Sequence, residues 1–319
     1  MISSRLRPAL AHLGDALAYF LVRVIVAVIQ VLPLDMGNSL CRGLAWLLTG
    51  PLPVRAKATD HNLNLIFPNA TAQQRLQLKK AMWHHLLLMV CEIAWAQRRL
   101  HLTNWHRHVT FRENETMLGY MLGPRPTVLV TGHFGNFEIG GYVSGLMGVS
   151  TLTIARRLDN AYLHRWVERF RSAKGQHMVD KEGCAQMVDA HLRAGGILSL
   201  LADQHAGDKG CWVDFMGAPA SCHKALSLFS LSSDAPMLVV STQRIGGKPM
   251  QFEVNCYGIA DPLSGGEECS GVPAMTKWYN ERLAAAVAEA PEQYWWLHRR
   301  WRKPPARVAK RLAKAAASA

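Results

Sequence analysis

From Pro126 onward the chain alternates short apolar runs with helix-length stretches, and that alternation constrains its fold more than any other feature. Residues 127–131, 151–155, 197–201 and 237–242 have the length and apolar content of buried strands, and 251–257 follows the Gly246-Gly247 turn as another. Residues 137–147, 160–172, 182–193, 223–231 and 274–290 read as the helices between and after them. Strands that are apolar throughout and separated by helices predict an α/β fold, a mixed, mostly parallel sheet flanked by helices. In such sheets ligands bind beyond the carboxyl ends of the strands, so the loops there are the first place to look for chemistry.

Two regions precede this core. Thr71 and Gln74 form a capping-box pattern that opens a helix running to Arg98, with Met82, Trp83, Leu86, Leu87, Val90 and Ile93 as its core stripe. Further upstream, residues 16–34 are a 19-residue apolar run broken by Arg23 and Gln30. A spanning helix needs about 20 such residues, and an Arg at its centre costs on the order of 3 kcal/mol on insertion scales. The run predicts a membrane-anchoring helix, either spanning once or lying in the interface with Arg23 reaching the headgroups. The chain thus divides into an anchor (1–50), a catalytic domain (51–303) and a basic tail (304–319).

The composition, 49% hydrophobic and 18% charged, excludes a disordered or collagen-like chain. The net charge of +13 is concentrated at the end: 298–319 holds Arg299, Arg300, Arg302, Lys303, Arg307, Lys310, Arg311 and Lys314 and no acid. By itself that cluster suits nucleic acid, an anionic membrane face or an acidic partner protein equally well. Seven scattered cysteines without a CxxC pair argue for reduced thiols. Cys211, Cys222, His205 and His223 lack the tight ligand pairs of a zinc site, so no metal is assigned.

The stretch Thr131-Gly-His-Phe-Gly-Asn-Phe-Glu138 carries the chemistry. A strand ends at Thr131, His133 sits on the turn, and Glu138 falls in the first turn of the next helix. A His placed there is a general base, with Glu138 taking its Nδ1 proton in a hydrogen bond and leaving Nε2 free to accept a proton from a hydroxyl. No serine elbow or reactive Cys adjoins it, which favours direct transfer over a covalent enzyme intermediate. Asn136 and Gln204 are candidates for amide hydrogen bonds. Arg156 and Asp203 follow the second and third of the strands and face the same edge.

Six blocks in order resemble the late acyltransferases of lipid A biosynthesis, the lauroyl/myristoyl transferase family, within the wider His-x4-Asp/Glu glycerolipid acyltransferase group. They are His61-Asn-Leu-Asn-Leu-Ile-Phe-Pro68, the block from Thr131 to Glu138, Arg156-Arg-Leu-Asp-Asn160, Leu201-Ala-Asp-Gln204, Phe215-Met-Gly-Ala-Pro-Ala220, and the closing Pro291-Glu-Gln-Tyr-Trp-Trp-Leu-His-Arg-Arg-Trp301. Arg157 stands where the family usually has proline, His205 where Asp is common, and Ser221-Cys-His-Lys224 in place of a small, Thr/Pro-rich run.

The resemblance implies a glycerolipid-acyltransferase-like fold and a membrane-bound enzyme. Its reaction moves a fatty acyl chain from an acyl thioester, on acyl carrier protein or coenzyme A, to a hydroxyl of a lipid A precursor. It implies His133 and Glu138 as the catalytic pair, with no cofactor beyond the thioester co-substrate. With an acidic carrier protein as donor, Arg299, Arg300, Arg302 and Lys303 are the candidates for docking it or the anionic bilayer, and nucleic acid is not expected as a partner. Arg156 binds the oxyanion, an acceptor phosphate or the donor's phosphopantetheine; Asp203 is a second partner for His133 or a binder of Arg156. Asn136, Asn160 and Gln204 are supporting polar groups, and Phe215, Gly217 and Pro219 form a loop shaping a pocket. The location implied is the bacterial inner membrane, catalytic domain facing the cytoplasm. Another glycolipid acceptor, such as a phosphatidylinositol mannoside, or a lysophospholipid keeps the same chemistry. A membrane-tethered binder of anionic ligands is the reading from a different class, and the intact His133 and Glu138 argue against it.

Overall fold

A computed structural model describes residues 6–112 and 115–317. In chain order its helices are α1 (Leu6–Val31), α2 (Leu34–Thr49), α3 (Ala56–Ile66), α4 (Ala72–Arg99), α5 (Glu115–Leu122), α6 (Phe137–Leu146), α7 (Ala161–Ser172), α8 (Ala185–Arg193), α9 (Ala225–Ser232), α10 (Val272–Glu289) and α11 (Ala306–Ala317). Its strands are β1 (Val109–Arg112), β2 (Thr127–Thr131), β3 (Thr151–Ala155), β4 (Gln176–Asp180), β5 (Ile197–Leu201), β6 (Cys211–Phe215), β7 (Ala218–Cys222), β8 (Met237–Arg244) and β9 (Phe252–Ala260).

Among the described residues the main sheet has seven strands in the order β1-β9-β8-β2-β5-β3-β4. Strands β8, β2, β5, β3 and β4 are parallel, while β9 runs antiparallel to β8 and carries β1 in its own direction. β6 and β7 form a separate hairpin. Its two turn residues, Met216 (φ 58°) and Gly217 (φ 84°), both lie in the left-handed region that a two-residue turn of matching twist requires. The block around Phe215, Gly217 and Pro219 is therefore a hairpin and not a loop: Phe215 is buried and stacks on Trp301 at 5.9 Å, and Pro219 is exposed on β7.

Alternate residues of the strands divide between two cores. Val128, Val130, Leu198, Leu200, Met237 and Val239 pack with Val188 and Leu192 of α8, Leu226 of α9, and Met275, Tyr279 and Leu283 of α10. On the other face Leu129, Ile197 and Leu238 meet Met117 and Met121 of α5. Helix α4 begins as its sequence predicts: the Thr71 hydroxyl accepts from Gln74 N at 3.2 Å, and the Gln74 side chain accepts from Thr71 N at 2.8 Å.

The N-terminal helix α1 packs against α4 and α7. Trp95 Nε1 of α4 donates to Ile29 O at 2.6 Å, Gln30 Nε2 donates to Ala94 O at 3.1 Å, and Asn160 Nδ2 donates to Asp15 O at 2.9 Å. Arg23 does not sit among the exposed apolar residues of α1. Its guanidinium donates to Tyr19 Oη at 2.8 Å and lies over Trp166 of α7 at 6.0 Å. What α1 leaves exposed is an apolar stripe, Leu13, Leu17, Phe20, Leu21, Val24, Ile25, Val28 and Val31, next in sequence to Met36, Leu40, Leu44 and Trp46 of α2. The 21 residues Ala11–Val31 are long and apolar enough to cross a membrane, and one side of them is already held by α4 and α7.

One buried ion pair joins these layers. Arg244, at the end of β8, grips both oxygens of Glu92 on α4, at 2.7 Å from Nε and 2.6 Å from Nη2. Glu92 also accepts from Met250 N at 3.1 Å and from Asn136 Nδ2 at 2.9 Å, so every charge-bearing atom of the carboxylate has a partner. Removing one member of such a pair leaves the other buried and uncompensated, at about 3–5 kcal/mol. Glu92→Ala should therefore lower the unfolding free energy by about that much; a thermal midpoint within 1–2 °C of the parent, roughly half a kcal/mol or less, would mean the pair carries no structural weight.

Candidate functional site

The parallel register of two neighbouring strands builds the site. Thr131 of β2 lies opposite Leu201 of β5, and Ala202 N donates to Thr131 O at 2.8 Å. Two residues beyond each partner are His133 and Asp203, which the register brings face to face. His133 Nδ1 is 2.8 Å from Asp203 Oδ1, and His133 N donates to Oδ2 at 2.9 Å. One carboxylate thus holds both the ring and the backbone of the histidine. Gly132 permits this: a Cβ there would come within 3.2 Å of Asp203 Cγ.

This geometry corrects the assignment of Glu138 as the partner of Nδ1. Glu138 is in the first turn of α6, whose direction carries its side chain toward α7. There Arg171 donates to it from Nε at 3.1 Å and also from Nη2. Asp203 is the residue that fixes the His133 tautomer. Burial opposes a charge on His133, but the Asp203 charge and hydrogen bond outweigh it, with Glu138 adding at longer range, and its pKa is raised above 6.5. Burial likewise works against the Asp203 carboxylate, and His133 more than offsets it, holding that carboxyl far below its ordinary range.

The turn that carries His133 is pinned from three sides. Asn136 N donates to Thr242 O at 2.7 Å, Gly135 N donates to Gln293 O at 3.0 Å, and Trp295 N donates to His133 O at 3.0 Å. Gly135 has φ +61°, and a Cβ there would sit 2.1 Å from Thr242 O, so a side chain is excluded. His85, fully buried, is kept neutral first by burial and then by Arg244. Arg244 Nη1 lies 2.8 Å from its Nδ1, which must accept, so Nε2–H donates to Gly135 O at 3.2 Å.

The remaining expected residues separate into those at the base and those elsewhere. Gln204 Nε2 lies 3.2 Å from His133 Nε2. Asn136 is fully buried, caps α6 by accepting from Ile139 N at 3.2 Å and donates to Glu92, so its amide serves the scaffold. Asn160 caps α7, accepting from Tyr162 N and Leu163 N, both at 3.0 Å. Arg156 is 85% exposed and pairs with Asp159 at 3.4 Å, away from His133 and from Asp203. Arg300, grouped by sequence with surface docking residues, is fully buried. It donates to the carbonyls of Gln204 at 2.9 Å and Ser221 at 3.0 Å, and to Asn280 Oδ1 at 2.9 Å. Arg299, Arg302 and Lys303 do lie on the surface.

An apolar cavity opens beside this turn. Thr131, Phe137, Glu138 and Arg171 line it near the site, and Leu129, Val143, Met117, Met121 and Met147 line it further in, between the sheet and helices α5 and α6. From Glu138 to Met147 the helix advances about 14 Å at 1.5 Å per residue. The small residues Gly140, Gly141 and Ser144 of α6 are also on its wall. Sequence reasoning missed Arg171, Glu92, His85 and Arg244; each acts through a partner distant in the chain, and none carries a local pattern.

Over residues 5–303 the chain matches the family described as bacterial lipid A biosynthesis acyltransferase. It belongs to that family. It is 25% identical over 311 residues to the lipid A biosynthesis lauroyltransferase of Escherichia coli K12, covering 95% of this chain and 97% of that one. It is 25% identical over 260 residues to the lipid A biosynthesis palmitoleoyltransferase of the same organism, covering 79% and 80%. A solved structure, the 1-acyl-sn-glycerophosphate acyltransferase of Thermotoga maritima, aligns over 85% of this chain and all of its own at 13% identity, with a TM-score of 0.38. The chain is an acyltransferase of lipid A biosynthesis, as its sequence blocks imply.

The dyad gives a kinetic expectation. A base must be neutral, so the acid limb of kcat/KM should lie above the ordinary histidine value of 6.5, in line with the raised His133 pKa. Asp203→Asn should move that limb to lower pH and reduce kcat by about 10²–10⁴-fold, the range for a misoriented base. A pH–rate profile unchanged by this substitution would show that Asp203 does not govern His133.

Proposed function

We propose that this enzyme transfers a fatty acyl chain from an acyl thioester to a hydroxyl of a lipid A precursor, with His133 as general base. The observation that carries the reading is that the His133–Asp203 pair stands beside an apolar cavity, whose wall includes Thr131 of the same strand and Phe137, the ring that packs on His133 at 5.4 Å. The acyl group lies in the cavity beneath α6, its thioester carbonyl at the mouth. The acceptor hydroxyl gives its proton to His133 Nε2 as its oxygen attacks that carbonyl. The tetrahedral intermediate collapses, the carbon–sulfur bond breaks, and the thiolate takes the proton from the imidazolium. Asp203 stays ionised throughout and supports the imidazolium.

The cationic role assigned to Arg156 belongs in this reading to Arg171, which lines the cavity with Glu138. The donor is acyl carrier protein or coenzyme A, and no resident cofactor is required. Purified enzyme with an acyl thioester and a lipid A precursor should give a product heavier by one acyl chain, and His133→Ala should lose about 10²–10⁴-fold of that rate. Transfer to a lysophospholipid but not to the precursor would assign the acceptor differently, and undiminished transfer by His133→Ala would remove the base.

The second part of the reading places the enzyme on the inner membrane, catalytic face toward the cytoplasm where acyl thioesters are made. The exposed apolar stripe of α1 and Trp46 of α2 lie in the bilayer surface while Arg23 stays on Trp166. Each buried Leu or Phe of that stripe contributes roughly 1.5–3 kcal/mol. Leu17→Asp with Phe20→Asp should release the protein from anionic phospholipid vesicles in flotation, with the circular dichroism unchanged. Continued flotation of that variant would assign attachment to another surface.

A further inference from the structure

In neutral His133 the hydrogen bond from Nδ1 to Asp203 leaves Nε2 as a lone pair, the acceptor that catalysis uses. Yet in this structure that lone pair is already engaged. The side-chain nitrogen of Gln204, an amide that can only donate, lies 3.2 Å from it. Phe137 and Trp295 pack against the imidazole, with ring centroids 5.4 and 4.9 Å away. Gln204 therefore occupies the place that the proton of an attacking hydroxyl has to take.

The base of the Gln204 side chain is fixed and its end is not. Its carbonyl accepts from the buried guanidinium of Arg300 at 2.9 Å, and the preceding carbonyl, of Asp203, accepts from His298 Nε2 at 3.0 Å. The side chain beyond is exposed, so the amide can swing away by rotamer change without disturbing the backbone.

We propose that Gln204 caps the catalytic base until a bound acceptor displaces it, and so limits transfer of the acyl chain to water. The inference rests on His133 as the base for acyl transfer. Productive transfer and hydrolysis begin alike: an O–H gives its proton to Nε2 while the oxygen attacks the thioester carbonyl. In both, the carbon–sulfur bond breaks and the departing sulfur recovers the proton from the imidazolium. One yields thiol and ester, the other thiol and carboxylic acid. The chemistry cannot tell the two attacking groups apart, but access to Nε2 can. An anchored lipid acceptor brings binding energy to displace the amide, whereas a single water has none to spend.

The cap also has a pH signature. Donation to the lone pair stabilises the neutral imidazole, opposing the charged groups that face it, Asp203 beyond β5 and Glu138 on α6, with the His298 ring 6.1 Å away. Losing the donor raises the pKa of His133 further.

The test uses full-length enzyme in detergent and a long-chain acyl-coenzyme A as probe, following thiol release without acceptor and ester formation with lipid A precursor. Gln204→Leu should release thiol about 3–10-fold faster without acceptor, the scale of one neutral hydrogen bond. Its ester-to-acid ratio should fall and the acid limb of hydrolysis should move to higher pH. Gln204→Asn, still an amide but too short to reach Nε2, should give the same increase and covers the case in which the leucine variant does not fold. Gln204→Glu, which pairs only with imidazolium, should slow both reactions at neutral pH. Unaltered thiol release and an unaltered ester-to-acid ratio in Gln204→Asn would overturn the cap. Thiol release that persists in His133→Ala would instead overturn the base beneath it, which separates the two failures.

Discussion

The Glu92–Arg244 pair is the contact on which the active-site geometry depends. A carboxylate and a guanidinium buried together are tolerated only when their remaining hydrogen-bonding capacity is met. Here the groups that meet it are parts of the catalytic turn and its supports: Asn136, Met250 N and, through Arg244, His85. The backbone of Arg244 is held as well, its N–H and carbonyl both engaged by the side chain of Gln293 at 2.9 Å. Helix α4, the end of β8, the turn after β2 and the closing segment thus share one polar knot. Displacing any of them unpairs a buried charge, and this rigidity lets His133 be placed to within hydrogen-bond tolerance.

Much of this was legible in the sequence, for reasons that also explain what was not. β2, β3 and β5 appear at the expected boundaries because strands covered on both faces are apolar at nearly every position. β1 and β4 were missed: Val-Thr-Phe-Arg and Gln-His-Met-Val-Asp lie at the two edges of the sheet, where burial is partial and polar residues are admitted. The β6–β7 hairpin reads as a loop in sequence because Gly217 and Pro219 look like breakers, while its turn needs the glycine and its exposed strand position tolerates the proline. His133 could be found from its place after a strand. The partner of its Nδ1 could not be decided locally, since Asp203 reaches it only through the β2–β5 register, 70 residues on.

Glu138 shows how a motif can be right in its residues and different in its geometry. It falls five positions after His133, as a helper carboxylate should, and its charge does favour the imidazolium. It acts from a distance, with its oxygens committed to Arg171 on the wall of the cavity. The carboxylate that touches His133 and the carboxylate that borders the cavity are therefore two different residues. One holds the Nδ1 proton of His133, and the other is paired with Arg171 on the cavity wall.

The seating of α1 on α7 has a kinetic consequence. Asn160 ties the start of α7 to Asp15, Trp166 in its middle lies under Arg23 of α1, and Arg171 near its far end lines the cavity. On the membrane-attached reading proposed above, the apolar stripe of α1 and the site are joined through α7, so the stripe that enters the bilayer would also set the height of the site above it. An acceptor that is itself a lipid would then reach the enzyme by lateral diffusion in two dimensions, while a soluble donor would arrive from the third. Turnover on such a surface follows the mole fraction of acceptor among the surrounding lipids: diluting the bilayer with inert phospholipid slows the enzyme even when the total acceptor in the vessel is unchanged.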